Sequence, residues 1–265
     1  MYTAVDLGQY CEELYRARSF EQAFSVFEKQ VIKLGYDGVL YTFIPRLLID
    51  SNFNQEPVYK VSESYSPQYL QHYEQAHFER DDPLIQAVNG GVAEAFDWWG
   101  DIPKQYMSDN PKAKEVIATS LNYGINNGIT IPLLNDERGV AGASFITEED
   151  TKFSLLKSST MEKLELCTRL FHNLVFSGAC YTSAFVQPIL QSLTNTEKRF
   201  LAKLAQGKTP VQIAQELGRS EKYLEQVMLK VRRKFSHSSA EGAITVNRNQ
   251  IMYYSGLMNL VEHID

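Results

Sequence analysis

The chain has 265 residues, 44% of them hydrophobic, enough for one large domain or two smaller ones with real cores, and its composition excludes a disordered or collagen-like polypeptide. Its net charge of -6 is unevenly spread: Lys and Arg number 15 against 25 Asp and Glu through residue 190, and 11 against 7 beyond it. An acidic larger module followed by a small basic one points the tail toward a polyanion, although a solvated basic face is the commoner source of such an excess.

The N-terminal stretch MYTAVDLGQYCEELYRARS is amphipathic and lacks the apolar centre of a signal peptide, and no apolar run is long enough to span a bilayer. A soluble, cytoplasmic protein without membrane contact is expected. Residues 4 to 34 carry Leu7, Cys11, Leu14, Phe20, Phe24, Phe27, Val31 and Leu34 at mixed three and four spacing around a break near Ser19, which predicts helix. From Gly35 the period changes. GYDGVLYTFIP and PVYKVSESY have the β-branched and aromatic enrichment of strands, and GITIPLLNDERGVAGASFIT predicts a hairpin turning at Asn135 to Gly139. Residues 153 to 180 return to helical spacing and are expected to cover the sheet or mate with a partner subunit. The first domain is therefore read as α+β.

Between the second strand and the hairpin lies YSPQYLQHYEQAHFERDDP, with Tyr65, Tyr69 and Tyr73 four residues apart. On a helix such positions drift by only about 80° in total and share a face. Each buried phenol needs a hydrogen-bond partner, so Leu or Phe would serve a plain core more cheaply, and the face reads either as ordinary packing or as a binding wall. Asp81 and Asp82 read either as caps of a helix beginning at Pro83 or as ligand contacts.

The tail SLTNTEKRFLAKLAQGKTPVQIAQELGRSEKYLEQVMLKVRRKF predicts helix, turn at Gly207, helix from Pro210, turn at Gly218 and a longer helix capped by Ser220, a helix-turn-helix pattern. In the third helix Tyr223, Leu224, Val227, Val231 and Phe235 form the expected buried stripe, leaving Lys222, Glu225, Gln226, Leu229, Arg232 and Arg233 outward. Basic crowding in KVRRKF together with that pattern favours DNA over a merely solvated face.

This tail resembles the DNA-binding domain of the LuxR family, through Leu193, Thr194, Glu197, Leu201, Ala205, Gly207, Lys208, Thr209, Ile213, Ala214, Leu217 and Ser220. It departs from the pattern at Tyr223, Leu224 and Val227 and within SSAEGAITV. In the quorum-sensing branch of that family the first domain carries Tyr-Pro-x-x-Trp-x-x-x-Tyr followed by Asp-Pro, and the stretch from Tyr65 to Pro83 follows it without a gap. Trp98 fits a later pocket tryptophan, and YGINNGITIP the glycine-bearing approach to a core strand.

The resemblance implies an α-β-α sandwich, an antiparallel sheet between helices, over residues 1–178, a linker at 179–190, and a small all-helical helix-turn-helix domain at 191–265. It implies a ligand-responsive transcriptional regulator, cytoplasmic and homodimeric, with operator DNA, a small-molecule signal and RNA polymerase as partners. For an N-acyl homoserine lactone, Asp82 would accept the amide N–H and Tyr65, with Ser144, would donate to the acyl carbonyl. Leu40, Thr42, Tyr73 and Trp98 would line the pocket. The family tryptophan that donates to the lactone carbonyl is Tyr69 here, so an aryl-acyl signal or a non-lactone metabolite is an alternative, and the strand register could turn Phe145 inward in place of Ser144. On the DNA side base contacts fall on Glu225 and Leu229, phosphate contacts on Lys230 and Arg233, with Thr209, Gln212, Lys222 and Gln226 completing the interface.

Cys11, Cys167 and Cys180 are scattered, without CxxC spacing, and His72, His77, His172, His237 and His263 have no metal spacing or nucleophile beside them. No metal, no cofactor and no catalytic residue are expected, and none of GxSxG, a Walker loop, GxGxxG or HExxH occurs. Beside the regulator stand two other classes: an architectural DNA-binding protein without ligand response, and an enzyme with a helix-turn-helix appendage, for which no constellation is present.

Overall fold

A computed structural model describes residues 7–46, 49, 57–147, 150–239, 242–244 and 246–264. Their chain divides into two compact units, one holding Met1–Phe43, Tyr59–Asn135 and Val140–Cys180, the other Ile44–Val58, Asp136–Gly139 and Tyr181–Asp265.

In the first unit α1 (Leu7–Arg16) and α2 (Phe20–Lys33) break at Ser19, whose extended backbone and hydroxyl, accepting from the Gln22 amide at 3.2 Å, start the second helix. Strands β1 (Gly38–Pro45), β2 (Val58–Val61), β3 (Phe96–Asp97), β4 (Asn127–Asp136) and β5 (Gly139–Thr147) make one sheet in the order β2-β1-β5-β4-β3. β4 and β5 form the expected hairpin, and β3 runs antiparallel to β4 with Phe96 opposite Thr130. Helices α3 (Pro67–Gln75), α4 (Pro83–Asn89), α5 (Asp101–Met107) and α6 (Pro111–Asn122) lie between β2 and β4 in sequence, and α7 (Asp150–Ser177) follows the hairpin. This is the α+β arrangement that the change of period foretold.

Alternation along the strands gives the sheet two unlike faces. Tyr41 and Phe43 of β1 and Phe145 of β5 are fully buried toward α2 and α7, where the Phe27 and Phe171 rings stack at 4.5 Å. Leu40, Thr42, Thr130 and Ser144 take the opposite face.

Residues 179–190, expected as a linker, are helical, within α8 (Ala179–Ser192), where Phe185, Val186, Ile189 and Leu190 recur at helical spacing and are buried. Helices α9 (Asn195–Ala205), α10 (Pro210–Leu217) and α11 (Glu221–Phe235) reproduce the predicted helix-turn-helix, each with a capping side chain, Thr194, Thr209 and Ser220. Gly218 takes the left-handed conformation between α10 and α11, with φ 59°, which a glycine adopts without penalty. The tail is not all helical: β6 (His237–Ser239) pairs antiparallel with β7 (Gly242–Ile244) before α12 (Arg248–Leu257). Those three-residue strands are too short to give a period-2 signal. Tyr223, expected in the buried stripe, is 41% exposed beneath the Arg219 guanidinium, and Leu224, Val227, Val231 and Phe235 alone carry the stripe. Arg232 is drawn in from the expected outward face, its Nε donating to the Val246 carbonyl at 2.8 Å. No described helix is long and apolar enough to cross a membrane.

Candidate functional site

Tyr65, Tyr69 and Trp98 meet in a buried cluster with Leu84, Ala87, Val88, Phe96, Ile125, Val140 and Ile146, and Leu40 and Tyr73 pack against it. Segments far apart in sequence build it. Tyr65 precedes α3 rather than sitting on it, while Tyr69 and Tyr73 are helical, so the three rings reach the cluster from two local conformations.

The polar atoms at this cluster differ in how they are satisfied. The Tyr73 hydroxyl donates to Asp82 Oδ2 at 2.6 Å, and Asp82 Oδ1 accepts from the Leu84 amide at 2.7 Å, so Asp82 is the N-cap of α4 and also faces the tyrosines. The capping reading of that aspartate holds, and its second oxygen is met by a tyrosine of the cluster; Asp81 instead accepts from Asn110 at 3.1 Å. Burial pushes the Asp82 carboxyl above its usual range, while the Tyr73 hydroxyl and the Leu84 and Ile85 amides pull it back. The Tyr69 hydroxyl lies 3.1 Å from Ser120 Oγ, whose proton goes to the Val116 carbonyl at 3.1 Å. Trp98 Nε1 donates to Thr130 Oγ1 at 3.0 Å, and Thr130 shares a 2.9 Å hydrogen bond with Ser144. A Cβ on Gly128 would fall within 3.0 Å of three atoms of the Trp98 indole, so glycine there lets the ring lie on the strand.

The Tyr65 hydroxyl stands apart. The residue is 2% exposed and its oxygen has no hydrogen-bond partner among the described residues. Burial, and after it the neighbouring Tyr69, pushes that hydroxyl well above its usual range, so it remains a neutral donor. An unmet buried hydroxyl costs about 1–3 kcal/mol unless something else meets it.

Ser144 shares the Thr130 and Trp98 side of the sheet, whereas Phe145 packs against Phe27 and Tyr36 on the other, which resolves their register. Thr42 shares the face of Leu40, two residues along β1, and is half-buried. Sequence reasoning missed Ser120 and Thr130, and noted Gly128 only as part of YGINNGITIP, without its contact with Trp98. The glycine alone had a local signal, in NNGITIP. Among the described residues no group of three His, Cys, Asp or Glu could hold a metal.

On the tail, Lys222, Glu225, Gln226, Lys230 and Arg233 are exposed along α11 and Leu229 is half-buried. Thr209 and Gln212 are engaged with one another: Thr209 Oγ1 accepts from the Gln212 amide at 3.3 Å and Gln212 Oε1 from the Thr209 amide at 2.9 Å. Both are exposed at the N-terminus of α10. Glu216 binds both Lys203 and Lys208, fastening α9 to α10. The buried Glu197 accepts from Lys234 at 2.7 Å.

The autoinducer binding domain family matches residues 19–175. Among solved structures, Escherichia coli SdiA is 18% identical over 97% of this chain and 99% of its own, with a TM-score of 0.56. SdiA in complex with octanoyl-rac-glycerol is 17% identical over 98% of each chain, with a TM-score of 0.52. The N-acylhomoserine lactone dependent LuxR family transcription factor CepR2 from Burkholderia cenocepacia is 14% identical over 65% of this chain and 95% of its own, with a TM-score of 0.49. The SdiA likeness gives the fold. No curated protein sequence matches the chain.

Proposed function

The chain belongs to the autoinducer-binding domain family of LuxR-type quorum-sensing regulators, and on that premise we propose that it binds an acylated small-molecule signal at the tyrosine cluster and operator DNA through α11. Residues 1–178 form the ligand domain and 191–265 the DNA-binding domain. The observation that carries the ligand reading is the Tyr65 hydroxyl, buried without a partner beside Tyr69 in an apolar cluster. A ligand carbonyl meets that donor, Asp82 takes a ligand N–H, and Leu40, Thr42, Trp98 and the surrounding aliphatic side chains enclose an acyl chain, each Å² of which contributes about 25 cal/mol. Ser144, tied to Trp98 through Thr130, holds the indole and offers a second hydroxyl. N-acyl homoserine lactones and other acylated heads are the candidate signals; the complex of SdiA with octanoyl-rac-glycerol supports a head other than a lactone.

In the tail, Glu225 accepts from a cytosine amino group and Leu229 touches a thymine methyl, while Lys222, Gln226, Lys230, Arg233, Thr209 and Gln212 hold the backbone. One such helix covers few base pairs, so the protein works as a homodimer on two half-sites about 34 Å apart and meets RNA polymerase there in the cytoplasm. No catalytic role is assigned to any residue. The test is mass spectrometry of small molecules extracted from the purified full chain, paired with operator selection from random DNA. A bound acylated compound, and a base preference that Glu225→Ala relaxes at one position per half-site, support the reading. An empty protein that no acylated compound stabilises against heat contradicts the ligand assignment, and Glu225→Ala binding every sequence more tightly with its preferred site unchanged contradicts the base-reading one.

A further inference from the structure

The direction of the hydrogen bonds at the cluster limits what the ligand's head can be. Ser120 has one proton, and it goes to the Val116 carbonyl at 3.1 Å; the 3.1 Å contact between Ser120 Oγ and the Tyr69 hydroxyl is therefore donated by Tyr69. Tyr69 and Ser120 are both buried, at 5% and 3% exposure, which holds this chain of protons in place. The Tyr73 proton is likewise committed, to Asp82 Oδ2 at 2.6 Å. Tyr69 and Tyr73 have ring centroids 6.0 Å apart, and the Asp82 charge reaches both hydroxyls. Three groups thus stand together with lone pairs to spare and no proton to give: the Tyr69 oxygen, the Tyr73 oxygen and the Asp82 carboxylate. The donors lie elsewhere, at Tyr65 and in the Thr130–Ser144 pair, since the Trp98 indole proton is spent on Thr130.

We propose that the end of the ligand lodged against Tyr69, Tyr73 and Asp82 is itself a hydrogen-bond donor, a neutral hydroxylated head rather than a lactone, and that Ser120 sets this preference by holding the Tyr69 proton. A lactone presents carbonyl and ring oxygens to that end, acceptor against acceptor, and leaves them buried without a proton. A hydroxyl gives its proton to Tyr69 or Asp82. Ser120 touches no ligand in this account; it is a positioning residue acting through Tyr69. The inference rests on the ligand-binding reading above and sharpens it.

Two probes that share an octanoyl chain and an amide isolate the head: N-octanoyl serinol, which carries two hydroxyls, and N-octanoyl homoserine lactone. Calorimetry on the full chain is expected to give the serinol amide about tenfold tighter binding than the lactone, the factor set by one hydrogen bond. Ser120→Ala frees the Tyr69 proton to meet a carbonyl, so lactone affinity rises and the preference shrinks by about tenfold. Tyr69→Phe removes the acceptor, so serinol-amide affinity falls while lactone affinity does not rise; this variant carries the test if Ser120→Ala does not fold. A lactone bound as tightly as the serinol amide by the unmodified protein, or an unchanged ratio in Ser120→Ala, overturns the proposal and leaves the ligand-binding reading intact. Failure of both compounds to bind overturns that reading and this one with it.

Discussion

The two faces of the one sheet are both built from aromatic residues, yet they treat polar atoms differently. Toward α2 and α7 the rings are mostly phenylalanines stacked or edge-on, and the tyrosine hydroxyls in that layer are met: Tyr41 by His172 at 3.0 Å, and Tyr10, which donates to the Cys167 carbonyl at 2.8 Å, although Gln30 Nε2 and Thr147 Oγ1 are buried there without a partner among the described residues. Toward α3 and α4 tyrosines and Trp98 stand beside Phe96, the tyrosine and indole protons go to side chains, and the Tyr65 hydroxyl is left over. The first face meets its tyrosine hydroxyls, and the second leaves one over where the proposed ligand would sit.

The comparison breaks most visibly on the first face. Phe27→Ala removes a ring stacked on Phe171 and edge-on to Phe145, and is expected to cost about 3–5 kcal/mol in denaturant unfolding. On the second face Gly128→Ala drives a methyl into the Trp98 indole, an overpacking change expected to cost about 1–3 kcal/mol and to weaken ligand binding as well, because the ring it displaces lines the site. If that variant binds acylated ligands as the unmodified protein does, Trp98 is core and not wall.

Asp82 gives the comparison a pH dependence. Its folded pKa is raised above the 3.8 of an unstrained aspartate by burial, so its contribution to stability is fully present below pH 3.8 and is lost as the pH rises through the folded value. Measured as a difference from Asp82→Asn, which does not titrate, the unmodified protein should lose stability over that window and stay level above it. A difference that is flat with pH, or of opposite sign, would show that the hydrogen bonds from Tyr73 and the α4 amides outweigh burial.

Much of this was legible in the sequence, and the gaps have physical causes. The strand pattern of GYDGVLYTFIP, the hairpin at Asn135 to Gly139 and the three tail helices each rest on local periodicity and capping residues, and all appear where expected. The tyrosine repeat announced a shared aromatic face, but Pro67 starts the helix after Tyr65, which joins its neighbours through the fold instead of through helical phase. Ser120 and Thr130 were invisible, because a single hydroxyl distant in sequence acquires meaning only when a ring is laid against it. The linker expected at 179–190 is helical because apolar residues recur there at helical spacing, and Tyr223 left its stripe because the Arg219 guanidinium, 5.6 Å from the ring centroid, covers it at the surface.

The contrast between the faces reduces to one pair of substitutions, each removing a single oxygen. Tyr10→Phe deletes a satisfied hydroxyl and Tyr65→Phe an unsatisfied one. Unfolding free energies of the ligand-free protein, with calorimetric affinity for the acylated compound that binds most tightly, are the direct measurement. The account predicts that Tyr10→Phe loses about 1 kcal/mol of stability and keeps its affinity, whereas Tyr65→Phe loses no stability, or gains up to about 1 kcal/mol, and binds about tenfold more weakly. A Tyr65→Phe protein that is destabilised like Tyr10→Phe and binds with unchanged affinity would contradict it, and would make the second face a core like the first.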